Sequence, residues 1–118
     1  MEIGEKLYAN SREAWRLWLE AHHQEQGEIW LVLYKLSSGK RVLTLDQAQE
    51  EALCFGWIDS QMKPLDEESF AQRFTPRRSR SNWSQVNRDR ALRLLREGRM
   101  TPAGMALLPA EVLQAWEE

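Results

Sequence analysis

Apolar residues along this chain change their period several times, and each change predicts an element. Trp15, Trp18, Leu19 and His22 recur at helical spacing. Asn10 or Ser11 stands ready to cap that helix, with Glu13 three residues after Asn10 as in a capping box, and Gly27 is placed to end it. Ile29–Tyr34 is continuously apolar and rich in β-branched and aromatic residues, which predicts a central strand covered on both faces. After a turn at 37–40, Thr44 and Gln47 form a second capping box ahead of Leu45, Ala48, Ala52 and Phe55 on one helical face, and Gly56 stops that helix.

From Trp57 onward the period falls to two. Segments 57–63 and 69–75 then predict a hairpin around the loop 64–68. Setting Lys63 opposite Ser69 pairs Ile58 with Phe74 and Met62 with Phe70 on one face. The other face then carries Trp57, Asp59, Gln61, Ala71, Arg73 and Thr75, with Asp59 opposite Arg73. Ser81 is the predicted cap of a third helix running to Glu97, with Gly98 just past its end and Trp83, Asn87, Ala91 and Leu94 on its inner stripe. Thr101 before Pro102 starts a further helical turn, and Pro109 another, whose Val112, Leu113 and Trp116 are expected to pack on the core. The expected architecture is α+β in the order α-β-α-β-β-α-α, a small antiparallel sheet against helices, as one domain over 1–118.

Composition supports a folded chain: 118 residues, 42% hydrophobic, with six tryptophans. The longest apolar run spans six residues, far below the roughly 20 a membrane helix needs, so no membrane span is expected. The start lacks the basic and apolar regions of a secretion signal, and a cytoplasmic location is the expectation. Cys54 is the lone cysteine and forms no internal disulfide. His22 and His23 are adjacent, so their side chains diverge by about 100° on a helix, and no metal site or cofactor is expected.

Charge adds what periodicity cannot. The net charge is −2, yet the span 73–99 holds nine arginines against only Asp89 and Glu97, leaving +7 there and −9 in the remainder. Arginines, hydroxyls and Trp83 ahead of a helix start suit a phosphate or carboxylate, and single-stranded nucleic acid also favours arginine with aromatics. The competing expectation is that these arginines pair internally with the acidic remainder. Ser37-x-x-Lys40 matches a nucleophile motif in letters only, since the larger protein and further motifs it belongs to are absent, and Gly39-Lys40 lacks the upstream glycine of a phosphate-binding loop.

The blocks Cys54-Phe55-Gly56-Trp57-Ile58-Asp59, Arg73-Phe74-Thr75-Pro76-Arg77-Arg78, Ser81-x-Trp83-Ser84-x-x-Asn87 and Gly98-Arg99-Met100-Thr101-Pro102-Ala103-Gly104 resemble the YdeI/OmpD-associated family of small bacterial proteins. The resemblance covers roughly residues 10 to 106. It implies a bacterial source and a part in bacteriocin protection or stress tolerance, with no assigned catalytic residue. Longer members of that family are expected to continue into a further basic helical segment.

These observations converge on a binding module, more readily than an enzyme, that takes an anionic ligand or nucleic acid. Its candidate residues are Trp57, Asp59, Arg73, Arg77, Arg78, Ser81, Trp83 and Asn87. An enzyme would instead use Asp59 as acid or base in a pocket walled by Trp57 and Trp83, with Arg73 and Arg77 stabilising negative charge. A third expectation is a protein partner docked on tryptophan and arginine, residues enriched at interface hot spots.

Overall fold

A computed structural model describes residues 2–78 and 82–118. The architecture is α+β. In chain order the elements are β1 (Lys6–Leu7), α1 (Arg12–His22), β2 (Ile29–Tyr34), a 3-10 turn (Leu36–Ser38), α2 (Leu45–Cys54), β3 (Trp57–Pro64), β4 (Ser69–Pro76), α3 (Gln85–Arg96), α4 (Pro102–Met105) and α5 (Ala110–Glu117). The sheet runs β1-β2-β4-β3, antiparallel except where β1 lies parallel to β2. Two-residue β1 carries no periodic signal, which is why the sequence order began at α1.

Local chemistry sets most of the boundaries. Ser11, rather than Asn10, caps α1 by accepting the Ala14 N–H at 3.0 Å, and the helix ends at His22, short of Gly27. Thr44 and Gln47 close the capping box of α2, with reciprocal bonds of 3.0 and 3.1 Å. Gly56 follows at φ 76°, where an added Cβ would also meet Ala103 O at 3.1 Å. Position 56 therefore needs glycine both for its backbone and for the close approach of α4.

Strand β2 is interior and buried along its length except for Tyr34, as its apolar run predicts. Cross-strand partners share a face, so Ile29, Leu31, Leu33, Phe74 and Gln72 look toward the helices. Trp15 of α1 lies 5.1 Å from Phe74 between ring centroids, and its indole N–H donates to Ala48 O at 3.0 Å, joining α1, α2 and the sheet in one core. Trp116 is 41% exposed and does not pack inward, whereas Val112 does.

The hairpin is present, but its register differs from the sequence expectation. Asp59 faces Phe74, Ile58 faces Thr75 and Met62 faces Gln72, so three steps on β3 match two on β4. This bulge at Ser60 and Gln61 adds one unpaired residue and moves residues 57–59 to the other face relative to β4, while Met62 keeps the face of Phe70 and Phe74. Ser84, not Ser81, caps α3 by accepting the Asn87 N–H at 3.2 Å. Ser81 lies outside the described residues.

Candidate functional site

The bulge separates two residues that the sequence register placed together. Asp59 shares the helix-covered face with Phe74, whereas Arg73 faces the opposite side, where it pairs with Glu28 and reaches Ser60 Oγ at 3.4 Å. Asp59 is instead held by amides: Gln49 and Gln72 both donate through Nε2 to its Oδ2, at 3.1 and 3.3 Å. Gln49 in turn accepts from Arg90 at 2.8 Å. A carboxylate fixed by two neutral donors is an acceptor and an orienting group.

Trp57 belongs to the core. It is 2% exposed and meets Trp18 edge-on at 5.9 Å. Of the five residues of the expected catalytic pocket, Trp57 lies in the core, Asp59 on the helix side of the sheet and Arg73 on its opposite side, while Arg77 and Trp83 lie together at the approach to α3.

Arg77 and Trp83 do come together. The Arg77 backbone N–H donates to Gly56 O at 2.8 Å, extending the sheet past the end of β4. Its guanidinium carbon lies 4.0 Å from the centroid of the Trp83 ring, and Nη1 donates to Asn82 O at 3.2 Å. Arg77 is only 6% exposed. Burial pushes its pKa down, and the Asp59 carboxylate partly offsets that. A cation stacked on indole in a largely dry site keeps much of its field. Arg78, next in sequence, is exposed and makes no ion pair among the described residues. Asn87 is half-buried and enters this corner through its backbone bond to Ser84, while its carboxamide makes no hydrogen bond among the described residues.

Of the remaining arginines of the basic span, four among the described residues pair with carboxylates. Arg88 pairs with Glu111, Arg90 with Asp46, Arg93 with Glu50 and Glu97, and Arg99 with Glu51. With Arg73 on Glu28, five arginines of the span are held by carboxylates among the described residues.

Sequence reading missed the most densely charged of these contacts. Glu51 is completely buried and receives Arg12 at 2.5 Å, Arg16 at 2.8 Å and Arg99 at 2.5 Å. Burial pushes the Glu51 carboxyl up, but hydrogen bonds from Arg16, Arg12 and Arg99 outweigh it and hold its pKa below the ordinary value. A glutamate on the second turn of a helix carries no pattern that points to partners 35 and 48 residues away.

Among the described residues no cluster of histidine, cysteine, aspartate or glutamate could hold a metal ion. Lys40 of the Ser37-x-x-Lys40 run is tied to Glu68 at 2.7 Å in an exposed turn. No described helix is long and apolar enough to cross a membrane.

Family comparison places the chain as well. Residues 7–107 match the family described as Domain of unknown function (DUF8412), and the chain belongs to that family. No curated protein and no solved structure matches it.

Proposed function

We propose that this member of the DUF8412 family is a non-enzymatic binding module that takes a small anionic ligand at the Arg77, Arg78 and Trp83 corner. The observation carrying this reading is the position of Arg77, stacked on Trp83 and tethered to Asn82 at the junction of β4 with α3. Arginine fixed in this way loses little freedom on binding, and its planar donors suit carboxylate or phosphate. Arg78 adds a solvent-facing charge beside it.

The ion pairs favour a small anion over a long polyanion. Phosphates along a nucleic acid need a stripe of available cations, and among the described residues five arginines of the span are already committed to carboxylates. Kinship with the YdeI/OmpD-associated proteins, and with it a part in bacteriocin or stress protection, belongs to the same proposal and rests on the sequence blocks alone.

A salt series with a fluorescent single-stranded oligonucleotide, repeated with inorganic phosphate as competitor, tests this. Two arginines engaging a single strand predict a shallow slope of about −1.4 in log affinity against log salt, with displacement by phosphate and loss in Arg78→Ala. A slope several times steeper supports a nucleic-acid surface instead. Absence of binding by either anion at low salt contradicts the proposal.

A further inference from the structure

Asp59 is half-buried, and its two oxygens are used unequally. Oδ2 accepts from Gln49 of α2 at 3.1 Å and from Gln72 of β4 at 3.3 Å, whereas Oδ1 makes no hydrogen bond among the described residues. Nor does the carboxylate form an ion pair with any described residue, although twelve such pairs are formed elsewhere among them. A charge partly withdrawn from water costs free energy that two neutral amides only partly offset. Asp59 is therefore held in one orientation with acceptor capacity left over.

This spare acceptor lies on the same side of the protein as the Arg77 corner. The Asp59 carboxylate is the charge that offsets the effect of burial on Arg77, so each lies in the other's field. Helix α3 connects the two. Arg90 donates to Gln49 Oε1 at 2.8 Å, and Gln49 in turn holds Asp59. Asn87 precedes Arg90 by three residues, about 4.5 Å back along the axis and on the same side of the helix, toward Trp83 and the guanidinium stacked on it. The Asn87 carboxamide, half-buried and with no hydrogen bond among the described residues, can both donate and accept.

From this arrangement we infer that the ligand of the Arg77 corner is a small zwitterion, an ω-amino acid in chemical class, with its carboxylate on Arg77 and Arg78, its ammonium on Asp59 Oδ1 and its body running past Asn87. The inference rests on the anionic-ligand reading of that corner. It goes beyond that reading by giving the ligand a cationic end and by assigning roles to Asp59 and Asn87.

The test uses ω-amino acids from glycine to 6-aminohexanoate, each compared with the fatty acid that has a methyl group in place of the ammonium. Titrations are followed by backbone amide shifts, with inorganic phosphate as the reference anion, in wild type, Asp59→Asn and Asn87→Ala. Wild type should bind at least one amino acid about tenfold more tightly than its methyl counterpart, the share of one charge-assisted hydrogen bond, with shifts at both Asp59 and Arg77. Asp59→Asn should abolish that preference and leave the fatty acid unaffected. Asn87→Ala should weaken the amino acid about fivefold, which keeps the test open if Asp59→Asn fails to fold. Equal affinity within every pair in wild type, a preference that survives Asp59→Asn, or unchanged affinity in Asn87→Ala overturns the inference. If phosphate still shifts the Arg77 corner in those cases, the anion site stands without its cationic half. If phosphate gives no shift either, the anionic-ligand reading falls and this inference with it.

Discussion

Arg16 donates to Glu51 across 2.8 Å and, through its other terminal nitrogen, to the carbonyl of Arg99 across 2.9 Å. One side chain of α1 thereby fixes both the buried carboxylate of α2 and the turn that follows α3. Arg12 and Arg99 complete the shell around Glu51, and Glu50 beside it joins Arg12 to Arg93. The helices covering the sheet are thus held to one another by a charged clasp as well as by the core.

Removing the negative charge at the centre of that clasp should be costly, because three guanidinium groups would then face a neutral, buried partner. Glu51→Gln is expected to lower the unfolding free energy by about 3 kcal/mol, the lower end for breaking a buried pair, since each arginine keeps some access to water. Urea denaturation of the two proteins measures the difference.

Acid should act through the same residue. The folded pKa of Glu51 is held below the ordinary glutamate value, so its contribution is fully present above that value and is lost as pH falls through the folded pKa. Melting temperature should therefore fall on the acid side of about pH 4.3, the unperturbed glutamate value. The fall should be shallower in Glu51→Gln. Equal acid limbs in the two proteins would remove Glu51 from the account.

Backbone contact between α2 and α4 leaves no room for a side chain at Gly104. A Cβ there would lie 2.4 Å from Cys54 O and 2.9 Å from Leu53 O. Gly104→Ala should destabilise by about 3 kcal/mol, as for overpacking against backbone that cannot yield. Gly27→Ala, with nothing within 4 Å of the new carbon, serves as the control in the same thermal melts.

Ser84 is the cap of α3, so Ser84→Ala should cost about 1 kcal/mol and Ser84→Asp should restore most of it. Denaturant midpoints report both.

Cys54 is buried, and burial together with Glu51 raises its thiol pKa to about 11. At neutral pH it should react with a disulfide reagent only as fast as the protein opens, with the full signal appearing in urea. Prompt reaction of the folded protein would contradict that burial.

What could be read from the chain alone follows the range of each interaction. Strand β2 and the Thr44/Gln47 box depend on neighbours within a few residues, and both stand where their patterns placed them. The bulge at Ser60 and Gln61 leaves no mark in a period-two pattern, and it moved Asp59 away from Arg73. Trp57 fell on the more polar face of the expected hairpin because its packing against Trp18 spans 39 positions. The arginine-rich span was visible as composition, whereas its pairing with Glu28, Asp46, Glu50, Glu51 and Glu111 required the folded chain. Of the candidate residues, Arg77 and Trp83 meet directly and Arg78 follows in sequence.

The central claim concerns that corner, and backbone amide chemical shifts recorded during titration with inorganic phosphate test it most directly. The account predicts saturable shifts concentrated at Arg77, Arg78, Asn82 and Trp83, and their loss in Arg78→Ala. Shifts that rise linearly and spread over the whole basic surface, or that persist unchanged in Arg78→Ala, would contradict it.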